Sequence, residues 1–488
     1  MRKALPRSEF DPVSGPRPGI FHEHDAAIAG SVATTINGKP VFTIEQIIAQ
    51  LTRSGTAWNG VGTNPVPLAG LGTITFGFFE NSFDVYSSER SEFVTLSPAQ
   101  RDAVRDALAI WGEMINVHFV EGPPLTADLN FGNLDTNEDY YSAYANYPSR
   151  SREGGDVWIN LNADTNQEIG LGEPGFRTLM HEIGHALGLS HPGDYNAMPG
   201  VTLTYAANAE YYQDSLQYTI MSYFASSSTG AVRTGFAATP LADDIAAMQS
   251  IYGPNMTTRT GDTTYGFHNN SGRAAFDFTL NHDPVVAIWD AGGHDTLDFS
   301  GWSTPSKIDL TPGGQSDGGG QTTNVQIAYG AWIEDAIGGS GNDVIGGNDV
   351  INYLKGGDGN DSLNGGGGGD REEGDAGADV FVFTSVEDST NYAMRSDGKK
   401  SLPDVVIDFT SGTDKIDLSA IDANTNQSGN QSFNFVAAQN AGVVANSVTW
   451  NISGGDTTIR VDNDGGGQAE MVITLTGSHN LQASDFIL

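Results

Sequence analysis

The sequence predicts an α+β domain in the first half of the chain and an all-β domain in the second. Apolar residues recur at helical spacing before residue 253, and one predicted helix there carries a cluster of histidines. Beyond residue 253 the composition shifts to Gly, Asp and Asn, which recur with a nine-residue period. A chain of 488 residues also exceeds what one hydrophobic core organises, so at least two domains are expected.

The composition restricts both the chemistry and the partners of the protein. There is no cysteine, so any metal must bind to histidine, carboxylate or backbone oxygen. The formal net charge of −37 argues against nucleic acid and anionic membranes as partners, because both would repel this surface. Divalent cations are the natural counterpart of so many acids, although acidity can also serve solubility alone.

The N-terminus lacks the apolar core of a secretory signal peptide, since Met1, Arg2 and Lys3 lead into a segment rich in Pro and charge. No run of about 18 apolar residues occurs, so membrane insertion is not expected. Taken alone, these features favour a cytoplasmic protein. Residues 1–25 are interpreted as a leader or propeptide whose removal converts a zymogen, and residues 26–253 as the first domain.

Local patterns predict helices and strands in this first domain. Thr43 and Gln46 fit a capping box before a helix that stops near Gly55. A longer amphipathic helix begins at Ser97, with Pro98 in its first turn. Strands are predicted for residues 71–79, 117–120, 129–131 and 157–161.

A histidine motif on a further helix has the spacing of a metal site. His181 and His185 are four residues apart, so both imidazoles lie on one helix face and can share an ion at about 2.0–2.1 Å. Glu182 points to the side, where it can act as general base without being a ligand. Gly188 permits a sharp turn that returns His191 to the metal as third ligand.

Three neutral imidazoles leave a bound zinc ion dipositive and its fourth position open. Such an ion lowers the pKa of its bound water and polarises a carbonyl, so this pattern is typical of amide hydrolysis. A bare H-E-x-x-H also arises by chance. The additional Gly188, His191 and Pro192 argue against coincidence here.

The extended motif resembles the metzincin metalloproteases and, within that clan, the serralysin family of bacterial alkaline proteases. The segment Thr219–Tyr223 is similar to the methionine-containing turn of that family. The resemblance implies that Met221 is the hydrophobic floor of the site. It also implies that Tyr223 binds zinc at rest and stabilises the oxyanion during turnover. Without the family, a Met and a Tyr in that order are more often core residues.

Two further segments of the first domain resemble the family. Residues 241–249 are similar to its closing helix, to which we assign a structural role. Family substrates lie antiparallel along an edge strand above the zinc helix, which here falls within residues 142–146.

The second half contains a glycine-rich nonapeptide repeat whose acids are in phase. The pattern Gly-Gly-x-Gly-x-Asp-x-apolar-x allows a tight turn in which carbonyls and the Asp coordinate calcium, while the apolar residue points into a parallel β-roll of the RTX type. A glycine-rich disordered linker is the alternative. The predicted calcium residues of the repeats are Gly338, Gly339, Gly341, Asp343, Gly356, Gly357, Gly359, Asp361, Gly365, Gly366, Gly368, Asp370 and Asp379.

Two repeats depart from the pattern. Asn352 replaces an acid, and Val350 stands where a glycine is expected, which weakens one calcium site. Glu372 replaces an inward apolar residue and casts doubt on core packing there. From residue 381 to 488 alternating apolar and polar residues predict further β structure, which completes a β-sandwich-like C-terminal part of a domain spanning 254–488.

Resemblance to the family also implies two calcium loops between the domains. Trp332 stands where a threonine is expected, although its carbonyl could serve. The first implied site uses Arg259, Gly261, Thr263, Asp290, Gly292 and Asp295, and the second uses Gly293, Asp295 and Glu334.

The last four residues, Asp485–Leu488, are an acid followed by three apolar residues and resemble the uncleaved C-terminal signal of type I secretion. An ordinary final strand is equally compatible with these residues alone. With the repeats, they suggest export of an unfolded chain through the type I secretion apparatus, followed by folding in extracellular calcium.

The sequence therefore predicts a secreted, monomeric zinc endopeptidase that acts on proteins and carries several structural calcium ions. One alternative is a calcium-dependent RTX adhesin with a vestigial zinc site. Glu182 argues against this, because a binding protein has no use for a general base. A second alternative is a metal hydrolase acting on a non-peptide amide.

Overall fold

The computed structural model describes residues 34–59, 72–85, 88–137, 141–390 and 402–488. The predicted leader, residues 1–25, lies outside this part of the chain. None of the helices described is long and apolar enough to cross a membrane.

The N-terminal half combines one six-stranded mixed sheet with the principal helices of the molecule. Strands pair in the order β5-β3-β6-β8-β7, and β4 pairs with β6. The strands of this half are β1 (Thr35–Ile36), β2 (Lys39–Pro40), β3 (Gly72–Phe78), β4 (Phe93–Val94), β5 (Val117–Glu121), β6 (Leu129–Leu134), β7 (Ala143–Ala145) and β8 (Asp156–Asn160). The helices are α1 (Ile44–Leu51), α2 (Pro98–Met114), α3 (Pro174–Leu187), α4 (Tyr205–Asn208) and α5 (Ala242–Tyr252).

The predicted starts of the first two helices are confirmed by their caps. The Thr43 hydroxyl accepts from the backbone N–H of Gln46, whose side chain accepts from the Thr43 N–H. Ser97 and Gln100 form the same reciprocal pair at α2, where Pro98 needs no hydrogen-bond partner for its nitrogen. The four predicted strands are present as β3, β5, β6 and β8, with bounds shifted by a few residues.

Helix α2 supports the helix that carries the histidine motif. Its buried face includes Val104, Leu108 and Trp111, as the helical spacing predicts. The Trp111 indole donates to the backbone carbonyl of Met180 in α3 at 3.4 Å. Displacement of α2 would therefore disturb the position of α3.

The C-terminal half consists mainly of short parallel strands. Their bounds are β9 (Thr264–Gly266), β10 (Val286–Ile288), β11 (Thr296–Asp298), β12 (Lys307–Asp309), β13 (Gln315–Ser316), β14 (Val325–Ile327), β15 (Asp335–Ile337), β16 (Val344–Asn348), β17 (Tyr353–Asp358), β18 (Ser362–Gly366), β19 (Arg371–Ala376), β20 (Val380–Val382), β21 (Asp404–Val406), β22 (Lys415–Asp417), β23 (Asn434–Phe435), β24 (Ser447–Ser453), β25 (Asp456–Asp462), β26 (Met471–Leu475) and β27 (Phe486–Ile487).

Successive repeat strands alternate between two sheets. Strands β15, β17, β19 and β21 are neighbours in a ten-stranded sheet, whereas β16, β18, β20 and β22 are neighbours in a six-stranded one. Each strand therefore pairs with the strand two positions further along the chain, so that Ile345 lies beside Leu363. The apolar repeat residues Ile345, Leu354, Leu363 and Phe381 are all buried, as predicted.

The additional β structure predicted for the C-terminal part is present, and its strands continue these two sheets. Antiparallel strands β24, β25 and β26 extend the ten-stranded sheet, where β26 pairs in parallel with β21. Strand β27 extends the six-stranded sheet through its pairing with β22. Alternation of polarity indicates a half-buried strand but does not indicate which sheet the strand joins.

The two halves share one continuous apolar core. Polar contacts add to this interface, because Gln326 accepts from the N–H of Ala242 at 3.0 Å and donates to the carbonyl of Gln217 at 2.7 Å. Arg259 forms an ion pair of 2.7 Å with Glu113 on α2. The C-terminal half is therefore packed directly against the supports of α3.

Candidate metal centre and active site

Three histidines converge at the C-terminal end of α3. The Nε2 atoms of His185 and His191 are 3.0 Å apart, and those of His191 and His181 are 3.3 Å apart. Two nitrogens that each lie 2.0–2.1 Å from one tetrahedral ion are separated by roughly 3.4 Å. The three nitrogens thus have the spacing of ligands to one metal.

The outer nitrogen of each ring identifies the tautomer. Carbonyl oxygens lie 2.7 Å from His181 Nδ1 (Ile220), 2.7 Å from His185 Nδ1 (Leu189) and 2.8 Å from His191 Nδ1 (Tyr195). A carbonyl can only accept, so each Nδ1 carries a proton and donates it. In a neutral ring the inner Nε2 then offers a bare lone pair.

Burial keeps these rings neutral. It is the main cause that lowers the pKa of His185 to about 4 and that of His191 to about 3, and it also lowers the pKa of His181. Three neutral lone pairs that face one another cannot hydrogen-bond, because none supplies a proton. This donor set fits a divalent metal such as zinc, which prefers imidazole nitrogen.

Glu182 lies beside the three nitrogens without belonging to the cluster. Its side chain is buried, and its Oε2 has no hydrogen-bond partner within the described part of the chain. Burial raises the pKa of this carboxyl group to about 8. A dipositive ion nearby would favour the carboxylate again, so this group can hold or release a proton near neutral pH.

Gly188 provides the turn that the motif requires. Its φ angle of 122° is one that side-chain-bearing residues rarely adopt. A Cβ atom here would also lie only 2.3 Å from the carbonyl oxygen of Thr56. The helix therefore stops at this glycine, and the chain turns back so that His191 reaches His185.

Met221 lies beneath the metal-binding helix. It is fully buried, and a Cβ atom on Gly184 would lie 2.8 Å from its sulfur, so helix and methionine are in close contact. The turn around it is fixed by Asp244 in α5, which accepts from the N–H of Ile220 at 2.8 Å and of Leu241 at 2.9 Å. The segment 241–249 thus has a structural function.

Tyr223 lies at the open side of the cluster. Its ring centre is 4.4 Å from that of His191 and 6.0 Å from that of His181. Partial burial raises the pKa of its phenol to about 12, so it keeps its proton at neutral pH and can donate. The side chain remains 40% exposed, which leaves it accessible to a substrate.

A cleft of about 600 Å³ leads from this cluster along β7. Its walls include Glu182, Tyr223 and the acids Glu89 and Glu92. Strand β7 lies at the edge of its sheet and pairs only with β8 among the described strands. An extended peptide could therefore add to this edge.

Sequence analysis missed two residues that position the third histidine. Asp214 is buried and accepts from the hydroxyls of Tyr195 and Ser222, both at 2.7 Å. The Tyr195 carbonyl accepts from His191, and its ring stacks on that imidazole with an interplanar angle of 10°. These residues lie in irregular loops, so no periodic signal marks them.

Carboxylates converge in the predicted loops between the halves. Asp295 accepts from the N–H of Thr263 at 2.7 Å, and its own N–H donates to Glu334 at 2.8 Å. Oδ2 of Asp295 and Oε1 of Glu334 are buried without a hydrogen-bond partner among the described residues. Burial is the main cause that raises both pKa values, that of Glu334 to about 7, and neighbouring acids add to it. Oxygens in this arrangement suit a hard cation.

The remaining loop residues surround the same acids. Asp290 accepts from the N–H of Gly292 at 2.8 Å. Arg259 adopts a left-handed φ of 47°, and its side chain pairs with Glu113. Gly261 lies beside Gly293. A Cβ atom on Gly293 would lie 2.7 Å from the backbone of Gly261.

The repeat acids form ladders with a spacing of 18 residues. The N–H of Asp343 donates to Asp361 at 2.8 Å, and the N–H of Asp361 donates to Asp379 at 2.9 Å. The N–H of Asn352 donates to Asp370 in the same way, at 2.8 Å. The repeat glycines lie at strand ends or in the turns beside these acids. Asp361 and Asp370 each keep one oxygen without a hydrogen-bond partner among the described residues, whereas both oxygens of Asp343 accept from backbone N–H groups.

Asn352 differs from the other members of the ladder. Its amide nitrogen donates to the carbonyl of Glu334 at 2.8 Å, and its oxygen accepts from the N–H of Asn348. An amide supplies its own donor here, which reduces the need for a cation at this turn.

The ladders continue beyond the recognisable repeats. Asp404 accepts from the N–H of Asp370 at 2.8 Å, and Asp414 accepts from that of Asp379 at 3.0 Å. These partners are 34 and 35 residues apart, because the connection between β20 and β21 is longer than that between earlier repeat strands. A search for a nine-residue repeat therefore misses them.

The geometry around α3 defines a metallopeptidase of the metzincin type: two helical histidines, an adjacent buried glutamate, a glycine turn to the third histidine and a methionine beneath. Comparison with known proteins supports the same assignment. The family model described as Matrixin matches residues 82–217, and the one described as Peptidase M10 serralysin C terminal matches residues 254–488.

Similarity to known metalloproteases covers most of the chain. Serralysin C of Dickeya chrysanthemi is 39% identical over 465 residues, which cover 93% of this chain and 92% of that protein. Metalloprotease AprA of Pseudomonas entomophila is 41% identical over 413 residues, which cover 82% of this chain and 81% of that protein. The chain belongs to the serralysin family of metalloendopeptidases.

Proposed function

We propose that the protein is an extracellular zinc endopeptidase whose C-terminal half is folded by calcium. The observation that carries the zinc assignment is the convergence of three unprotonated imidazole nitrogens within 3.0–3.3 Å of their neighbours. Residues 1–25 would be removed, residues 26–253 would form the catalytic domain, and residues 254–488 the calcium-binding domain.

Glu182 would act as general base and then as general acid. Zinc held by His181, His185 and His191 supplies a Lewis acid that activates water and polarises the scissile carbonyl. Glu182 takes the proton of the attacking water and passes it to the leaving amine. Its buried position supports this role, because no other described donor competes for its free oxygen.

Tyr223 would stabilise the negative charge that develops on the carbonyl oxygen. Its phenol keeps its proton at neutral pH, since its pKa is about 12. A hydrogen-bond donor beside the reacting oxygen stabilises the transition state most strongly where water is excluded. The resting role as a zinc ligand, implied by the family, would direct the same hydroxyl toward the metal.

Substrate would bind as an antiparallel strand on the free edge of β7. Backbone pairing of this kind recognises an extended main chain without requiring a particular side chain. The open cleft beside Glu182 accommodates such a segment, which fits a protease that acts on unfolded or flexible parts of proteins.

The repeat region would form a calcium-bound β-roll with its ions between successive turns. The predicted ligands lie in the repeat turns and in the loops around Asp290, Asp295 and Glu334. Low intracellular calcium would leave this region unfolded for type I export, with residues 485–488 as the signal, and millimolar external calcium would fold it into a monomer.

The zinc mechanism is tested by replacing Glu182 with Gln, which removes the base and keeps the shape. Casein hydrolysis should fall by about 10²–10⁴-fold, because proton transfer is lost. Zinc content, measured by atomic emission, should stay near one ion per chain. Glu168→Gln, which removes an exposed carboxylate, serves as the control. Full activity of the Glu182 variant with zinc bound would refute the mechanism.

A further inference from the structure

The cleft beside the histidine cluster has acidic walls. Glu89 and Glu92 line it together with Glu182 and the tyrosine of β7, Tyr144. No lysine or arginine is among the residues that line this cleft within the described part of the chain. A positively charged side chain of a bound substrate would therefore meet carboxylates here and no basic side chain of the described lining.

Glu89 is held by the strand on which the substrate is proposed to pair. The hydroxyl of Tyr144, in the middle of β7, donates to Oε1 of Glu89 at 2.8 Å. Burial is the main cause that raises the pKa of this phenol, and the bond to Glu89 adds to it, so the hydroxyl keeps its proton. The Tyr144 ring packs against the buried cluster that contains Trp158. Arg90, the next residue after Glu89, donates instead to the carbonyl of Val85 at 2.6 and 2.8 Å. The carboxylate of Glu89 is thus fixed in the cleft wall.

The position of Glu89 along the cleft limits which substrate residue it can reach. The ring centre of Tyr147 lies 5.5 Å from that of His185, so this part of the chain adjoins the metal centre. Tyr144 precedes Tyr147 by three residues. An extended chain rises about 3.3 Å per residue, so at most about 10 Å of chain separates the two tyrosines. Glu89 therefore lies within reach of a substrate side chain about three residues or fewer from the scissile bond.

We propose that Glu89 makes the protein prefer substrates that carry a lysine or arginine side chain near the scissile bond. A carboxylate oxygen accepts more than one hydrogen bond, so the Tyr144 hydroxyl leaves acceptor capacity for a substrate cation. Hydrogen bonds between ionised groups are stronger than those between neutral groups, and they are screened less in a partly enclosed cleft than in open solvent. Pairing on β7 would bind any extended chain, whereas Glu89 would select among such chains. This inference rests on the endopeptidase function proposed above.

The test uses pairs of peptides that differ only in lysine or norleucine at one position, for every position within about three residues of the scissile bond. Norleucine keeps most of the apolar stem of lysine and lacks its charge. For wild type, one position should show a kcat/KM about tenfold higher with lysine than with norleucine, and about 1 M salt should reduce this ratio. Glu89→Gln should bring the ratio at that position to about one. Tyr144→Phe, which removes the bond that fixes the carboxylate, should lower the ratio in part.

Glu153→Gln is the matched control, because it removes an exposed carboxylate from the loop between β7 and β8, outside the cleft lining. It should keep the wild-type ratio.

Two results would overturn the inference. One is a ratio near one at every position for wild type. The other is a lysine preference that Glu89→Gln lowers no more than Glu153→Gln does, since such a preference would come from the overall net charge. Tyr144→Phe gives a second measurement that does not depend on the folding of Glu89→Gln, and an unchanged ratio in this variant would also count against a fixed carboxylate. Wild type that cleaves neither casein nor any norleucine peptide would instead overturn the proposed endopeptidase function.

Discussion

The histidine cluster and the carboxylate ladders differ in the electrostatics with which they would bind metal. The histidines are neutral when buried, and backbone carbonyls at Ile220, Leu189 and Tyr195 hold each ring in place. Among the repeat acids, Asp361 and Asp370 are buried, and each has one carboxylate oxygen without a hydrogen-bond donor among the described residues. The protein alone can therefore form the first site, whereas the proposed cations would stabilise the second.

Burial affects the two sets of groups in opposite directions. It lowers the pKa of His185 to about 4, which favours the neutral imidazole. The neutral imidazole is the form that binds metal, so no proton has to be removed first. It raises the pKa of Asp361 to about 7, which disfavours the form that binds metal. The proposed calcium ions would then supply the free energy that keeps the ladder acids ionised.

Withdrawal of calcium should have the largest effect, and that effect should depend on pH. Asp361 and Glu334 have folded-state pKa values of about 7, above their ordinary values, so they stabilise the fold at low pH. This stability is lost as pH rises through the folded pKa. Calcium-free protein should therefore be folded to a smaller extent at about pH 8.5 than at about pH 6.5, as circular dichroism measures, because roughly 1–2 kcal/mol of stability is lost in between.

The histidines change the stability with pH in the opposite direction from the acids, so the two contributions can be told apart. Their pKa values are lowered, so the stability that they contribute is complete above about pH 6.5 and is lost only at lower pH. Protein with millimolar calcium should not lose stability between about pH 6.5 and 8.5. A calcium-free protein whose stability rises through this window would contradict the contrast between the two sites.

Tyr223→Phe should have the next largest effect, confined to the histidine site. Loss of the phenol should lower kcat by about 10²-fold with little change in KM, as for removal of one oxyanion donor. Peptide hydrolysis under saturating zinc measures this. Tyr205→Phe removes a phenol bonded to the carbonyl of Tyr212, away from the histidines, and should leave kcat unchanged. Equal kcat values for Tyr223→Phe and wild type would exclude a catalytic hydroxyl.

Asp214→Asn should have the smallest effect, because Asp214 acts through Tyr195 and Ser222 and touches no metal ligand. Weaker bonds to these hydroxyls should loosen His191 and raise the zinc Kd by about tenfold. Competition with a chromogenic chelator measures this Kd. Asp194→Asn, at an exposed site in the same loop, is the control. An unchanged zinc Kd would mean that Asp214 serves folding alone.

Sequence patterns predicted the features that depend on local spacing. The capping boxes at Thr43 and Ser97, the histidine helix and the inward repeat residues all follow from fixed intervals along the chain. The links from Asp214 to the site, and from Asp404 to Asp370, join segments without a fixed interval. Such contacts depend on tertiary packing, so one sequence does not reveal them. The sheet that each C-terminal strand joins depends on tertiary packing in the same way.

The alternation of strands between two sheets limits how this half of the molecule can change in length. The backbone bonds from Asp343 to Asp361 and from Asp361 to Asp379 each span 18 residues. Insertion or deletion of 18 residues would add or remove one strand from each sheet and leave every later pairing intact. A change of nine residues would instead transfer all later strands to the opposite sheet. The number of regular repeats can therefore change during evolution only in pairs if the later strand pairings are to be kept.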